Sequence, residues 1–334
     1  MKTLYTIGEV LIDFIPQQQG MLLKDVASFE KMAGGAPANV AATVAKLGGN
    51  ASLISQVGAD AFGRFLIEVL QQLKVNTNLI KITKEANTAL AFVSLTNDGE
   101  RDFSFYRNPS ADLLYKEDYI KSEWFTPGDL LHFCSVDLVE SPMKEAHKKA
   151  ISFAREHGTL ISFDPNVRLP LWESKANCRE TILKFLPSTD IVKISDEELA
   201  FITGIDEVET AIASLFIGHV KVVIYTKGAS GATLFTKDAS FSVPGCDVNV
   251  QDTTGAGDAF IGAILYKLLI SNVELNELVN YCIQSADELL TFANQCGALT
   301  TTKKGAFAAL PTLEDIQKRI INKNRVKRGD FSDS

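Results

Sequence analysis

Between Leu130 and Gly228, short apolar runs of β character alternate with stretches of helical pattern, and this alternation constrains the fold more than any other feature. "LLHFC" (Leu130–Cys134) precedes a helix ending near Gly158, and "LISFD" (Leu160–Asp164) follows it. A helix around Cys178–Leu186, the strand "IVKIS" (Ile191–Ser195), helices around Glu197–Ile217 and the strand "VKVVIYTKG" (Val220–Gly228) continue the series. Strands that are apolar on both sides and separated by helices imply an α/β fold with a mainly parallel sheet covered on both faces. Ligands in such folds collect outside the C-terminal ends of the strands. Asp13, Asp164, Ser195 and Lys227 all close or follow a predicted strand.

Two stretches break the alternation. "TALAFVSLTNDGERDFSFYR" (Thr88–Arg107) reads as two β runs around a turn at Asn97-Asp98-Gly99-Glu100, a hairpin. The segment from Asp13 to Met32 is neither clearly helical nor a plain crossover. Together they form a small β element, for which two readings stand: a lid over a substrate, or a hairpin that merely extends the sheet. With no repeat or low-complexity linker in 334 residues, the expectation is one domain over 1–334, with a lid from about 13–33 and 88–110 inserted in it.

Composition excludes several classes of function. The formal net charge of −8 argues against a nucleic-acid surface. The basic stretch "QKRIINKNRVKRGD" (Gln317–Asp330) reads as a solvated terminal helix with a frayed tail. No apolar run reaches the roughly 18 residues of a membrane span. Glu9 and Asp13 interrupt the apolar N-terminus, against the pattern of a signal peptide. Cys134, Cys178, Cys246, Cys282 and Cys296 lack CxxC or CxxH spacing, which fits a reduced cytoplasmic protein without a zinc site.

Any anionic ligand must then be held by local devices. In "DTTGAGDAF" (Asp252–Phe260), Gly255 and Gly257 permit a tight turn and leave N–H groups uncovered by side chains. A buried apolar helix starts there, and its orphan donors and macrodipole favour an anion such as a transferring phosphoryl group. Asp258, in the first turn, stands where a base could take a proton from a hydroxyl aimed at phosphorus. A glycine turn capped by an acid, worth only about 0.3–1 kcal/mol, explains one carboxylate but not the paired glycines or Asp252.

"AGGAPANVAATVAKLGG" (Ala33–Gly49) has a similar grammar: Gly34-Gly35 for close backbone approach, Pro37 at the first helical position, and Asn39 in the first turn. An ordinary strand-to-helix turn is the competing reading. Arg107 in "YRNPSAD" suits a clamp on a hydroxylated or anionic substrate, or a solvated surface charge. In "FDPNVRLPLW", turn chemistry accounts for Asp164 and Asn166 but does not require Arg168. Ser195 and Glu198 in "KISDEEL" have the spacing of a capping box, and Glu198 also suits Mg²⁺. Gly228 and Gly231 in "TKGASGATLF" suit either backbone contact with a nucleotide or a plain turn. P-loop, protein-kinase, HExxH and GxSxG patterns are absent, and His132, His147, His157 and His219 show no catalytic spacing.

In their order along the chain, "GGAPANVA" and "DTTGAGDAF" resemble the two signature motifs of the ribokinase-like (PfkB) carbohydrate kinases, and the resemblance extends from "GEVLIDF" to "GAFAALPT". "FYRNPSADLL" and "FANQCGALTTTKKGAFAALPT" are similar to the fructokinase branch. The resemblance implies a Rossmann-like three-layer α/β/α domain with a mainly parallel sheet and a small β lid. It also implies in-line transfer from ATP to D-fructose, giving fructose 6-phosphate. Asp258 would then be the base, with the backbone of Gly255, Ala256 and Gly257 as anion hole. Asp13, Gly34, Gly35, Asn39, Phe105, Arg107, Asn166 and Arg168 would surround the sugar. Lys193, Ser195, Thr226, Lys227, Gly228, Gly231 and Asn294, with Gly255 and Gly257, would line the ATP site. Glu198 would bind Mg²⁺ through water, and Asp252 and Thr254 a monovalent cation, K⁺. Ser195 stands where many relatives carry Asn. A homodimer formed through the lid is the expected assembly. The alternatives within the family are a 2-keto-3-deoxygluconate kinase, which shares the "DPNxR" and "YR…SA" features, and a nucleoside-type kinase. A non-catalytic sugar or nucleotide sensor is the alternative from another class.

Overall fold

The computed structural model describes residues 2–18, 20–95 and 101–328. Its strands are β1 (Leu4–Ile7), β2 (Leu11–Pro16), β3 (Phe29–Gly34), β4 (Ala51–Gly58), β5 (Ile80–Thr83), β6 (Leu90–Leu95) and β7 (Arg101–Tyr106). They continue with β8 (Leu130–Cys134), β9 (Leu160–Asp164), β10 (Ile191–Ser195), β11 (Val222–Thr226), β12 (Ala232–Phe235) and β13 (Ser240–Val243). Nine of them form one sheet in the order β13-β12-β11-β10-β9-β8-β1-β4-β5. From β11 to β5 every neighbouring pair is parallel, and the antiparallel pairings are β11–β12 and β12–β13 at one edge.

Both faces of this sheet are buried, as the two-sided apolar strands require. Leu130, Leu160, Ile191 and Val222 point into one core, together with residues of the helices Ala36–Lys46, Ala256–Ile270 and Ala286–Thr300. Their neighbours Leu131, Ile161, Val192 and Val223 point into the other, against the helices Pro142–Glu156, Lys175–Phe185 and Asp196–Thr203. The result is the three-layer α/β/α architecture expected from the sequence, with the expected strands and helices in place. Pro37 takes the second rather than the first helical position, because Gly35 is the N-cap of Ala36–Lys46.

Strand order reverses around β1, which pairs with β4 on one side and β8 on the other. In a doubly wound sheet the crevice opens at such a point, outside the C-terminal strand ends. Here β2 leaves the main sheet directly after β1 and begins a second, four-stranded sheet in the order β3-β2-β6-β7. The β6–β7 pair is antiparallel, as a hairpin demands, and its expected turn at Asn97–Glu100 lies outside the described residues. The helix Leu313–Arg328 covers most of the basic C-terminal stretch, and Gly329 and Asp330 lie outside the described residues. No helix among the described residues is long and apolar enough to cross a membrane.

Candidate active site

The helix Ala256–Ile270 starts at Gly255, whose φ of 76° lies in the left-handed region that glycine tolerates. A Cβ at Gly255 would come within 2.8 Å of Ala306 Cβ, so the turn is also too tight for a side chain. Asp252 braces the approach to this turn: Oδ1 accepts from the Thr254 N–H at 2.9 Å and its hydroxyl at 2.6 Å, and Oδ2 from the Gly305 N–H at 2.9 Å.

Asp258, in the first turn of that helix, is held from two sides. Asn39 Nδ2 donates to Oδ2 at 2.7 Å, and Asn166 Nδ2 donates to Oδ1 at 3.0 Å. These amides come from the two segments singled out around the glycine pair and after β9. Asn166 itself adopts φ 45°, a conformation that asparagine accepts more readily than most residues. Burial raises the Asp258 pKa above the ordinary carboxylate value; the Asn39 hydrogen bond, Lys193, Arg168 and Asn166 oppose that rise without cancelling it. The group is therefore a stronger base than a solvated aspartate and is already aimed.

Lys193, on β10, ends beside the same helix: a Cβ at Gly257 would stand 3.3 Å from its Nζ. The ammonium pairs with Asp164 Oδ2 at 3.0 Å. Burial works against the lysine's charge, but Asp164 and Glu198 hold its pKa above the usual value. Asp164 is pushed up to about 7, chiefly by burial, against the pull of Lys193. Ser195 caps the helix Asp196–Thr203 in a full capping box with Glu198. Glu198 also accepts from the Val167 N–H at 2.8 Å. Burial opposes its ionisation, but Lys193 and these hydrogen bonds bring its pKa below normal, so it stays a carboxylate.

Next to Ser195 in the β10–β11 register lies Thr226, followed by Lys227 and a turn whose Gly228 and Gly231 have φ 50° and 100°. A Cβ at Gly231 would strike Val243 O at 2.2 Å, and Asn294 Nδ2 donates to that carbonyl and to Pro244 O at 3.3 Å each. The residues expected around a nucleotide thus converge on one edge of the crevice.

The small sheet supplies the opposite wall. Asp13, Ala91 and Phe105 are register partners across β2, β6 and β7 and so share a face. Met32, paired with Asp13, shares it too, and a Cβ at Gly305 would meet Met32 Sδ at 2.4 Å. This face therefore looks towards the loop that Asp252 braces. Gly34 leaves room for the Asp13 carboxylate, since a Cβ there would lie 2.0 Å from Asp13 Oδ2. The other face carries aromatic rings, with Phe14 and Phe92 stacked at 4.7 Å.

Arg107, at the end of β7, turns its guanidinium inward: Nη2 donates to Asp112 and to Asp137, all three side chains being 3% exposed or less. Burial lifts the Asp137 pKa to about 7 although Arg107 lowers it, and burial with the Asp137 charge lifts that of Glu9 well above normal. Glu9 Oε1 accepts from the Ala36 N–H at 2.8 Å, tying the β1–β2 junction to the start of the next helix. Glu9, Asp112 and Asp137 were not singled out as site residues from the sequence. The available signal was an acid inside an apolar run: "GEVLIDF" for Glu9 and "CSVDLV" for Asp137. Among the described residues Arg168 has its own loop as hydrogen-bond partner, Nη1 to Val167 O at 3.0 Å, yet it lies close enough to lower the Asp258 pKa.

Among the described residues no three His, Cys, Asp or Glu side chains gather as a metal-binding group. Oxygen donors near the glycine-capped helix include those of Glu198, Asp252 and Thr254, beside the Asp164 and Asp258 carboxylates. Carboxylate, hydroxyl and carbonyl oxygens suit Mg²⁺ or an alkali cation.

A family model described as pfkB family carbohydrate kinase matches residues 1–313. The chain belongs to the pfkB carbohydrate kinases. Within that family it is 44% identical over 320 residues to fructokinase-2 of Zea mays, covering 96% of this chain and 94% of the other. A crystal structure of fructokinase from Xylella fastidiosa with bound ATP superposes with TM-score 0.89 at 36% identity, over 96% of this chain and 99% of that one. A double mutant of the fructokinase of Vibrio cholerae O395, with fructose, ADP and potassium ion bound, superposes with TM-score 0.84 at 35% identity, over 95% and 98% of the two chains. The pfkB kinase thus shares its fold with these neighbours over 95–96% of its length.

Proposed function

We propose that the chain is an ATP-dependent fructokinase that transfers the γ-phosphoryl group of ATP to D-fructose, giving fructose 6-phosphate. The observation that carries the reading is Asp258, buried and aimed by Asn39 and Asn166 at a glycine-capped helix start, in a chain this similar to fructokinases. The N–H groups of Gly255, Ala256 and Gly257 receive the charge that develops on the transferring group; preorganised donors of this kind are worth roughly 3–4 kcal/mol each. Lys193 adds positive charge beside Gly257. Asp258 accepts the proton of the attacking hydroxyl.

Glu198 remains charged and suits Mg²⁺ bound through water, and Asp252 and Thr254 shape the loop that would hold K⁺. Mg²⁺ would neutralise phosphate charge. Lys193, Ser195, Thr226, Lys227, Gly228, Gly231 and Asn294 form the nucleotide wall. Asp13, Gly34, Gly35, Asn39, Phe105, Arg107, Asn166 and Arg168 form the sugar site. The small sheet acts as a lid over the sugar, excluding water. Because it leaves Tyr106 63% exposed and Met21 and Leu22 uncovered, we assign it a second role as the interface of a cytoplasmic homodimer. Light scattering should then report twice the chain mass of 36.4 kDa, and a species at the single-chain mass would exclude the dimer.

The reading is tested by incubating the chain with D-fructose and MgATP and coupling the product to an isomerase and dehydrogenase specific for hexose 6-phosphates. Fructose 6-phosphate is the expected product, and its absence at full loading with both substrates refutes the reading. Gly34→Ala adds a Cβ where the Asp13 carboxylate sits, 2.0 Å away, and must displace it. A misplacement of about 1 Å can cost 10²-fold in rate, so kcat/KM for fructose should fall at least tenfold. An unaltered kcat/KM would remove Asp13 from the sugar site.

A further inference from the structure

Arg107 is the side chain a carboxylated sugar would seek, because its planar donors match a carboxylate two at a time. In this fold its Nη2 donors are already engaged. Nη2 donates to both Asp112 and Asp137, and Ser110 donates its hydroxyl to the other oxygen of Asp112. The Asp112 carboxylate is fully buried and cannot swing aside without also stripping that hydroxyl of its partner. Glu9 adds a third carboxyl group that bears on the same guanidinium.

Among the described residues, the fully buried polar atoms of this cluster without a hydrogen-bond partner are Glu9 Oε2, Asp137 Oδ2 and Arg107 Nε. Two oxygens against one nitrogen suit hydroxyl donors better than an anion. The cluster also borders the reacting centre: Cys134, at the end of β8, feels the charges of Asp164, Glu9 and Asp258 together. Arg107 lies two positions beyond Phe105 and directly follows β7, whose face carries the Asp13 row.

We infer that Asp112, with Asp137 behind it, is a specificity-determining residue that cancels the charge of Arg107 and confines the sugar site to neutral polyols. A sugar acid would bring a carboxylate into a dry wall whose cation is already paired, and would lose its hydration without compensation. Arg168 has no carboxylate partner in hydrogen-bond reach among the described residues, and it stands by Asp258 rather than by this cluster. The inference rests on the sugar-kinase reading, since it assigns one wall of that same site.

The test compares kcat/KM for 2-keto-3-deoxygluconate and D-fructose in the unmodified chain, in Asp112→Asn and in Asp137→Asn, with calorimetric titration of both sugars into each protein. Asp112→Asn should raise the acid-to-fructose ratio at least tenfold. The gain should appear in the KM and in the calorimetric Kd of the acid, and should shrink as salt is added. If both substrates decline in step and the ratio is unchanged, Asp112 merely holds the structure and the inference is overturned. Tight binding of the acid by the unmodified chain overturns it as well. Should Asp112→Asn fail to fold, Asp137→Asn carries the same expectation. Absence of fructose turnover in the unmodified chain would refute the fructokinase reading instead, while the titrations would still decide whether removing the carboxylate admits an acid.

Discussion

Asp258→Asn should lower kcat for fructose by about 10²–10⁴-fold, the range for loss of a general base, with KM changed less than threefold or so. The substitution is nearly isosteric, and the fold can absorb it. An amide places an N–H₂ against Asn39 or Asn166, both of which donate to Asp258 in the native chain. Among the described residues Asn39 Oδ1 has no hydrogen-bond partner, so rotating that amide restores a hydrogen bond. Steady-state kinetics beside a thermal melt check both halves of the expectation. Near-normal kcat in a folded variant would remove the base from its role.

The same residue fixes a pH dependence. Its folded-state pKa lies above the usual aspartate value because of burial, and the reaction needs the deprotonated form. Activity is therefore lost as pH falls, along an acid limb displaced upward from about 3.9. A kcat/KM profile that stays flat down to pH 4 would contradict this.

The second large effect is on stability. Arg107→Met should lower stability by about 3–5 kcal/mol, the loss seen when a buried ion pair is broken from one side. At roughly 2.1 cal/mol/K of unfolding entropy per residue, that is a fall of roughly 4–7 °C in Tm for a chain of this size. The deficit must vary with pH. Asp137 already titrates at about 7 with the guanidinium beside it, far above an unfolded aspartate near 3.9. A group raised in this way contributes stability that is fully present below the unfolded pKa and lost as pH rises through the folded one. Without Arg107 the carboxyl groups of Glu9, Asp112 and Asp137 face one another unpaired. The variant should therefore be closest to the unmodified chain at pH 5 and furthest from it at pH 8. Calorimetric melts across that range test this, and a deficit that shrinks as pH rises would show that the cluster is not held by charge. The unmodified chain should lose stability in the same direction, because Asp164 also titrates at about 7.

Much of this was legible because the deciding patterns are local. Strands from Leu130 to Thr226 carry apolar residues on both sides because both sheet faces are buried, and the linear pattern shows it. Gly255 and Asp258 lie within one helical turn, and Ser195 and Glu198 have the fixed spacing of a capping box, which the fold forms with both hydrogen bonds. The partnership of Glu9, Arg107, Asp112 and Asp137 was not legible, since it joins two chain crossings between the sheets, β1 to β2 and β7 to β8, with the loop that follows β8. Nor does "LYTIGEVLIDFIP" announce that β1 and β2 belong to different sheets; the break rests on Gly8, at φ 140°, and on a β2–β6 pairing between distant segments. The Asp252–Gly305 bond that braces the helix start is likewise tertiary.

The most direct test of the whole account is the ratio of kcat/KM for D-fructose and 2-keto-3-deoxygluconate on the unmodified chain, read as ADP release with MgATP and K⁺. The account predicts a preference for fructose of about a hundredfold, roughly 2.7 kcal/mol of transition-state discrimination. A preference for the acid would contradict it, leaving Asp258 in place but showing that Arg107 and Arg168 are open to a carboxylate.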